Sequence, residues 1–225
     1  MITYPLKTAC YLILLISILA GCDQSYTKQE PDVSSKAAAN ISTEPEEQLE
    51  SKNEVTPIVA AARSQVGRTT GYDPAYVALD YPGGDIPIET GVCTDVVIRA
   101  LRDGADIDLQ KLVHEDMSAA FSMYPDNWGL KKPDRNIDHR RVPNLQKYFE
   151  RAGFSIAVTQ NAEDYQPGDI VTCFAGQNVG HIMIVSDRKS RDGAPYVLHN
   201  IGRGTREENR LFAFTLTGHY RVNPN

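Results

Sequence analysis

This 225-residue chain predicts an α+β domain, with N-terminal helices packed on a C-terminal antiparallel sheet of about five or six strands. Three observations lead there. Apolar residues recur at helical spacing as far as Gly153. Short β-branched and aromatic runs follow it, and turn clusters such as QPGD and RKSRDGAP separate those runs. Helices that precede strands, instead of alternating with them, make an antiparallel sheet the expectation.

Each element has a local cause. Thr56 and Pro57 open a helix over IVAAARSQ that Gly67 ends, because Thr caps a first turn and Pro is pre-set for its first position. Residues 68–92 are rich in Gly, Pro and Tyr and predict a loop. Cys93 to Arg102 predicts a short helix with Val97, Ala100 and Leu101 on one face and Gly104 as its stop. The next helix follows Asp108, sets Leu109, Leu112, Val113, Met117, Ala120 and Phe121 at helical spacing, and ends at Pro125. A last one runs from Pro143 to Ala152, with Leu145, Tyr148 and Phe149 inward and Gly153 after it. The strand runs are FSIAVT, IVTCF, HIMIVS, YVLHN, LFAFTL and HYRV. Together these elements predict one domain over residues 57–225.

The first 56 residues predict an address and a spacer. Residues 1–22 carry one charge, Lys7, and Ala9 to Gly21 form an apolar run of 13 residues. A spanning helix needs about 20, so the run suits the core of a secretory signal. Leu19-Ala20-Gly21-Cys22 resembles the lipobox of bacterial lipoproteins. That resemblance implies a cleaved signal over residues 1–21, a lipidated Cys22, and a place in the bacterial cell envelope facing the periplasm. Asp23 resembles an inner-membrane retention signal. Residues 23–56 hold three Lys against eight acids and lack sustained apolar periodicity. With Cys22 they predict an acidic, flexible tether over residues 22–56. Residues 57–225 hold 19 bases against 21 acids. A nearly neutral domain lacks the basic surface that nucleic acid requires, and a monomer is expected.

The chemistry narrows by elimination. The chain has no G-x-x-x-x-G-K-[ST], G-x-S-x-G, H-E-x-x-H or C-x-x-C. His114, His139, His181, His199 and His219 have no pair at one-helix ligand spacing, so neither metal nor organic cofactor is expected. Cys10 leaves with the signal and Cys22 takes lipid, which leaves Cys93 and Cys173. Cys173 sits inside an apolar strand and reads as core. Cys93 begins a helix, where unpaired N–H groups and the macrodipole favour a thiolate, so it reads as a nucleophile. A Cys93–Cys173 disulfide stays open as an alternative. The general base is expected to be His181, which opens a strand after Gly180. A symmetric hairpin centred on Ser190 pairs His181 with His199, which would orient its ring; a one-residue slip offers Asn200 instead. Asp95, on the first turn of the Cys93 helix, complements the positive end of its macrodipole. Arg203, with Arg206 and Arg210, could grip a substrate carboxylate, although Glu207 and Glu208 beside them favour a solvated loop. Asp134, Asn136 and Asp138 read as a turn, because His139 occupies the position where a calcium loop needs Gly.

Cys93 at a helix start, Pro167-Gly168-Asp169 before a strand, Gly180-His181 opening the next and His199 on its neighbour resemble the NlpC-type cell-wall cysteine peptidases. The resemblance implies a compact papain-like fold and a Cys–His–polar triad. It also implies a role near substrate or oxyanion for Tyr81, twelve residues before Cys93 and followed by Gly83-Gly84. GVCTDVVIRALR, NIDHRRVPNLQKYF and LHNIG…GHYR resemble more narrowly a bacterial family of unknown function placed near those peptidases, over essentially residues 57–225. Two departures stand out. Val92 replaces the usual Asp before the Cys, which in the family's γ-glutamyl peptidases helps bind a substrate amine, and Thr94-Asp95 replaces Ser-Gly after it. The resemblance implies that Asp95 could partly take over the amine, beside its macrodipole reading.

The expectation is therefore a membrane-tethered envelope cysteine hydrolase that cleaves an amide bond in peptidoglycan peptides. Cys93 would attack, His181 would carry the proton, and the Cys93 backbone N–H and Tyr81 would face the oxyanion. The alternatives are a non-catalytic envelope lipoprotein that binds cell-wall peptide or a protein partner through the same cleft, and a thiol-redox protein.

Overall fold

The structure is a computed structural model and describes residues 56–222. The expected signal sequence, Cys10, Cys22, Asp23 and the expected tether as far as residue 55 lie outside the described residues. Four helices precede six strands: α1 (Pro57–Ser64), α2 (Cys93–Ala105), α3 (Leu109–Ala120), α4 (Val142–Arg151), β1 (Ser155–Ile156), β2 (Ile170–Phe174), β3 (Gly180–Lys189), β4 (Pro195–Asn200), β5 (Thr205–Glu208) and β6 (Thr215–Tyr220). The sheet order is β1-β6-β2-β3-β4-β5, and every neighbouring pair is antiparallel. The domain is therefore α+β, with β2 to β5 forming a meander and β6 returning to the far side of β2.

The caps follow the sequence. The Thr56 hydroxyl accepts the Val59 N–H at 3.3 Å, and Asp108 accepts the Lys111 N–H at 3.1 Å. Gly104 does not end α2 as expected. A Cβ there would stand 2.6 Å from the Pro57 carbonyl oxygen, so this glycine lets α1 and α2 approach each other. The helix ends one turn position later, with Asp106 in the left-handed region at φ 56°.

The sheet separates two cores. Val59, Val97, Leu101, Leu145, Phe149, Ile182 and Ile184 fill the larger one between helices and sheet. On the other face Val171, Cys173, Met183, Val185, Val197 and Leu211 form the smaller, beneath Phe212 and Phe214. Alternation along β3 assigns its residues to one core or the other. No helix among the described residues is long and apolar enough to cross a membrane.

Two strand expectations change. LFAFTL begins as a 3₁₀ turn, Leu211–Ala213, whose Leu211 fills the smaller core; its end joins Gly218-His219-Tyr220 in β6. Thr205-Arg-Glu-Glu208, read as loop, is the edge strand β5. An edge strand pairs on one side only and tolerates charge, so it carries little apolar signal.

Candidate active site

The long loop 68–92 folds back onto α2 because buried polar groups hold it there. Arg99, on α2 and 1% exposed, donates to Asp85 (2.9 to 3.1 Å), to the Ile86 carbonyl (3.0 Å) and to the Thr90 carbonyl (3.2 Å). Arg140 forms a bidentate pair with Asp95, both bonds at 2.9 Å, and also donates to the Ala75 carbonyl at 3.1 Å. Asn200 Nδ2 donates to the carbonyls of Gly71 and Gly91 at 3.0 and 2.9 Å. These bonds bring Tyr72 to the start of α2, where it lines a groove of about 320 Å³ with Cys93, Trp128, Arg141, Val142 and Gly180.

Cys93 is the first residue of α2 and 5% exposed. Its sulfur faces the backbone N–H groups of Ile182, Thr94 and Cys93 itself, all of which favour the thiolate. Burial outweighs them, with the Asp95 charge adding to it, and pushes the thiol up to about 11. This corrects the expectation of a thiolate favoured by the helix start: the same residue that begins the helix is sealed from water. Tyr72 shares the groove with Cys93, and burial followed by the charges of Cys93 and Asp95 raises its phenol to about 12.

The β3–β4 ladder pairs Val185 with Val197 and Ile184 with Leu198, and no β3 residue before Ile184 pairs with β4. The turn is centred on Asp192 instead of Ser190, with Lys189 opposite Pro195. An irregularity between Val185 and Lys189 then shifts the register part-way back, so that at Ile184 and Val185 it stands two residues from the symmetric hairpin. An even offset preserves the face, so His181 and His199 meet diagonally. His181 Nε2 and His199 Nδ1 lie 2.8 Å apart, both residues buried. His199 Nε2 reaches Glu208 Oε2 at 3.4 Å, a partner supplied by the unexpected strand β5. If Nε2 of each ring carries the proton, the bonds run from His181 to His199 to Glu208, and His181 Nδ1 is left to accept one. Burial, with His199 adding to it, lowers His181 to about 3, and burial also lowers His199. Both rings are neutral at pH 7.

The remaining expected residues fall in different places. Asn200 faces the loop, not His181, and holds Gly71 and Gly91. Asp95 accepts the Val92 N–H at 2.6 Å and the Arg140 guanidinium, so both its oxygens are engaged and it is not free to bind a substrate amine. Tyr81 packs edge-on against His114 at 5.4 Å beneath Arg135 and does not line the Cys93 groove. Tyr72, nine residues before Tyr81, lines that groove instead. Arg203 lies with His199, Arg206, Glu208 and Arg210 along a separate groove of about 340 Å³. Cys93 and Cys173 are both free thiols; Cys173 is buried opposite His181 in the β2–β3 pair. The Pro-Gly-Asp run is structural: Asp169 accepts from His219 at 2.8 Å and from Arg221 at 2.7 Å, tying the end of β6. Asp134 to Asp138 form a turn, as expected, in which Asp138 accepts the Asp134 N–H. Among the described residues no three His, Cys, Asp or Glu side chains gather as a metal site would require.

A family model described as a domain of unknown function (DUF1287) matches residues 59–222. The chain is also 56% identical over 164 residues to the uncharacterized protein YijF of Escherichia coli (strain K12), an alignment covering 73% of this chain and 80% of that protein.

Proposed function

The chain belongs to the DUF1287 family, and we propose that its domain is a cell-envelope cysteine hydrolase that cleaves an amide bond in the peptide part of peptidoglycan. One observation carries this reading: Cys93, at the start of α2, shares a groove with Gly180, the neighbour in β3 of a His181 whose ring is fixed by His199 at 2.8 Å. The likeness of these residues to the NlpC-type, papain-like peptidases supports it.

In the proposed reaction the thiol and the imidazole both start neutral. As the Cys93 sulfur attacks the amide carbonyl, its proton passes to His181 Nδ1, and the His199–Glu208 chain stabilises the imidazolium that forms. The Cys93 backbone N–H and the Tyr72 hydroxyl face the developing oxyanion. His181 then protonates the leaving amine, leaving a thioester on Cys93. Water, deprotonated by His181, cleaves the thioester and restores the thiol. The Cys22 lipid and the acidic tether would hold this domain at the membrane on the periplasmic side.

The test is digestion of purified peptidoglycan by the full-length protein in detergent, wild type and Cys93→Ala, with fragments identified by mass spectrometry. New peptide termini made by the wild type and absent with the variant are expected. Walls left intact by the active-site-competent protein would sink the hydrolase. One observation favours a second reading, a non-catalytic binder of cell-wall peptide: Cys93 is 5% exposed and its thiol is held protonated.

A further inference from the structure

Beyond the Cys93 groove lies a second chamber of about 300 Å³, and Trp128 and Arg141 line both. Its lining combines the aromatic rings of Phe121 and Tyr124 with Lys131, Arg141 and Asn144. Arg141 stacks over Trp128 with its guanidinium carbon 4.0 Å from the ring centroid. Its Nη1 donates to Asp138 at 3.1 Å, and its remaining donors carry no hydrogen bond to any described residue. The fork is thus fixed in plane but half unused, the arrangement that binds a carboxylate through two parallel bonds. Asn144 is 1% exposed; its Nδ2 donates to the Asp138 carbonyl at 3.1 Å, while its Oδ1 is buried without a partner. A buried acceptor left unpaired calls for a donor from outside the chain. The two acids of the lining, Asp126 and Asp138, balance Lys131 and Arg141 in formal charge, so selectivity for a carboxylate rests on the unused donors of the Arg141 fork and on Lys131, not on a net positive field.

We propose that this chamber is a recognition subsite for a free carboxylate on the peptide arm of the substrate. Arg141 and Lys131 hold the carboxylate, Asn144 Oδ1 accepts the neighbouring amide N–H, and Trp128 forms the wall between this subsite and Cys93. The choice of a cell-wall peptide rests on the hydrolase reading; the carboxylate and amide chemistry rests on the chamber itself.

Trp128 is the chain's single tryptophan, so its emission reports on this wall alone. Full-length Cys93→Ala protein would be titrated with a peptidoglycan stem tetrapeptide bearing free carboxylates, and with the same peptide fully amidated. Calorimetry would follow the Arg141 variants, because Arg141 touches the fluorophore. A saturable emission change with the free peptide is expected, at least tenfold weaker after amidation. Arg141→Gln should weaken the free peptide by about tenfold and Arg141→Lys by less, since Lys keeps the charge without the fork. Lys131→Gln, at an exposed position, should cost a few-fold and serves if Arg141→Gln does not fold. Equal affinity for the two peptides, no binding of either, or a folded Arg141→Gln with unchanged affinity would overturn the subsite. Digestion of walls with amidation-insensitive binding leaves the hydrolase standing and removes the subsite. Amidation-sensitive binding without digestion does the reverse.

Discussion

At Cys93 two effects of known sign oppose each other. A helix N-terminus favours the thiolate by about 1 kcal/mol or less at an ordinary site, whereas burial here pushes the thiol from 9.0 up to about 11. Burial wins, so a pre-formed thiolate is not the resting state. Alkylation by iodoacetamide, measured in a Cys173→Ala background, should therefore be slow at pH 7. It should rise roughly tenfold per pH unit to about pH 10. Tyr72→Phe removes a hydroxyl from the Cys93 groove and should raise the apparent pKa further, while Tyr81→Phe, outside that groove, should leave it unchanged. A plateau of alkylation below pH 8 would contradict the buried, protonated thiol.

At the scale of elements, the site depends on what holds loop 68–92 against α2. Arg140 and Asp95 have side chains only 3% and 5% exposed, so removing one charge strands the other. Arg140→Met should destabilise the domain by about 3–5 kcal/mol. The loss would be read as a lower urea midpoint, and the same change should free the segment that carries Tyr72. A shift within error of zero would mean that Asp95 finds another partner. The β3–β4 hairpin shows why register resists prediction. HIMIVS and YVLHN are recognisable as strands, but the turn is centred on Asp192, two residues beyond Ser190, and after the irregularity between Val185 and Lys189 the pairing stands two residues from the symmetric one. His181 and His199 still met because an even shift keeps the face; a shift of one would have brought Asn200 in instead.

At the scale of the whole molecule, burial makes stability depend on pH. His139 is lowered to about 4 by burial, and His181 to about 3. Their folded values lie below the ordinary 6.5, so the unfolded chain binds more protons as pH falls. Stability is therefore undiminished above about pH 6.5 and is lost progressively as pH drops toward 4. His139 alone accounts for about 2 kcal/mol at pH 5. The midpoint of thermal unfolding should fall between pH 7 and 5, and His139→Leu should flatten that slope; a flat profile in the wild type would refute it. The sequence by itself determined the helices, most strands and the two residues worth following, Cys93 and His181. Apolar period, caps and a Gly-His strand opening are local signals, printed in neighbouring residues. The tertiary structure alone decided the edge strand β5 with Glu208, the return of Tyr72 in place of Tyr81, the engagement of Asp95 by Arg140, and the protonated state of Cys93. Each depends on which distant groups share one buried space, and neither burial nor pairing across tens of residues is written in local order.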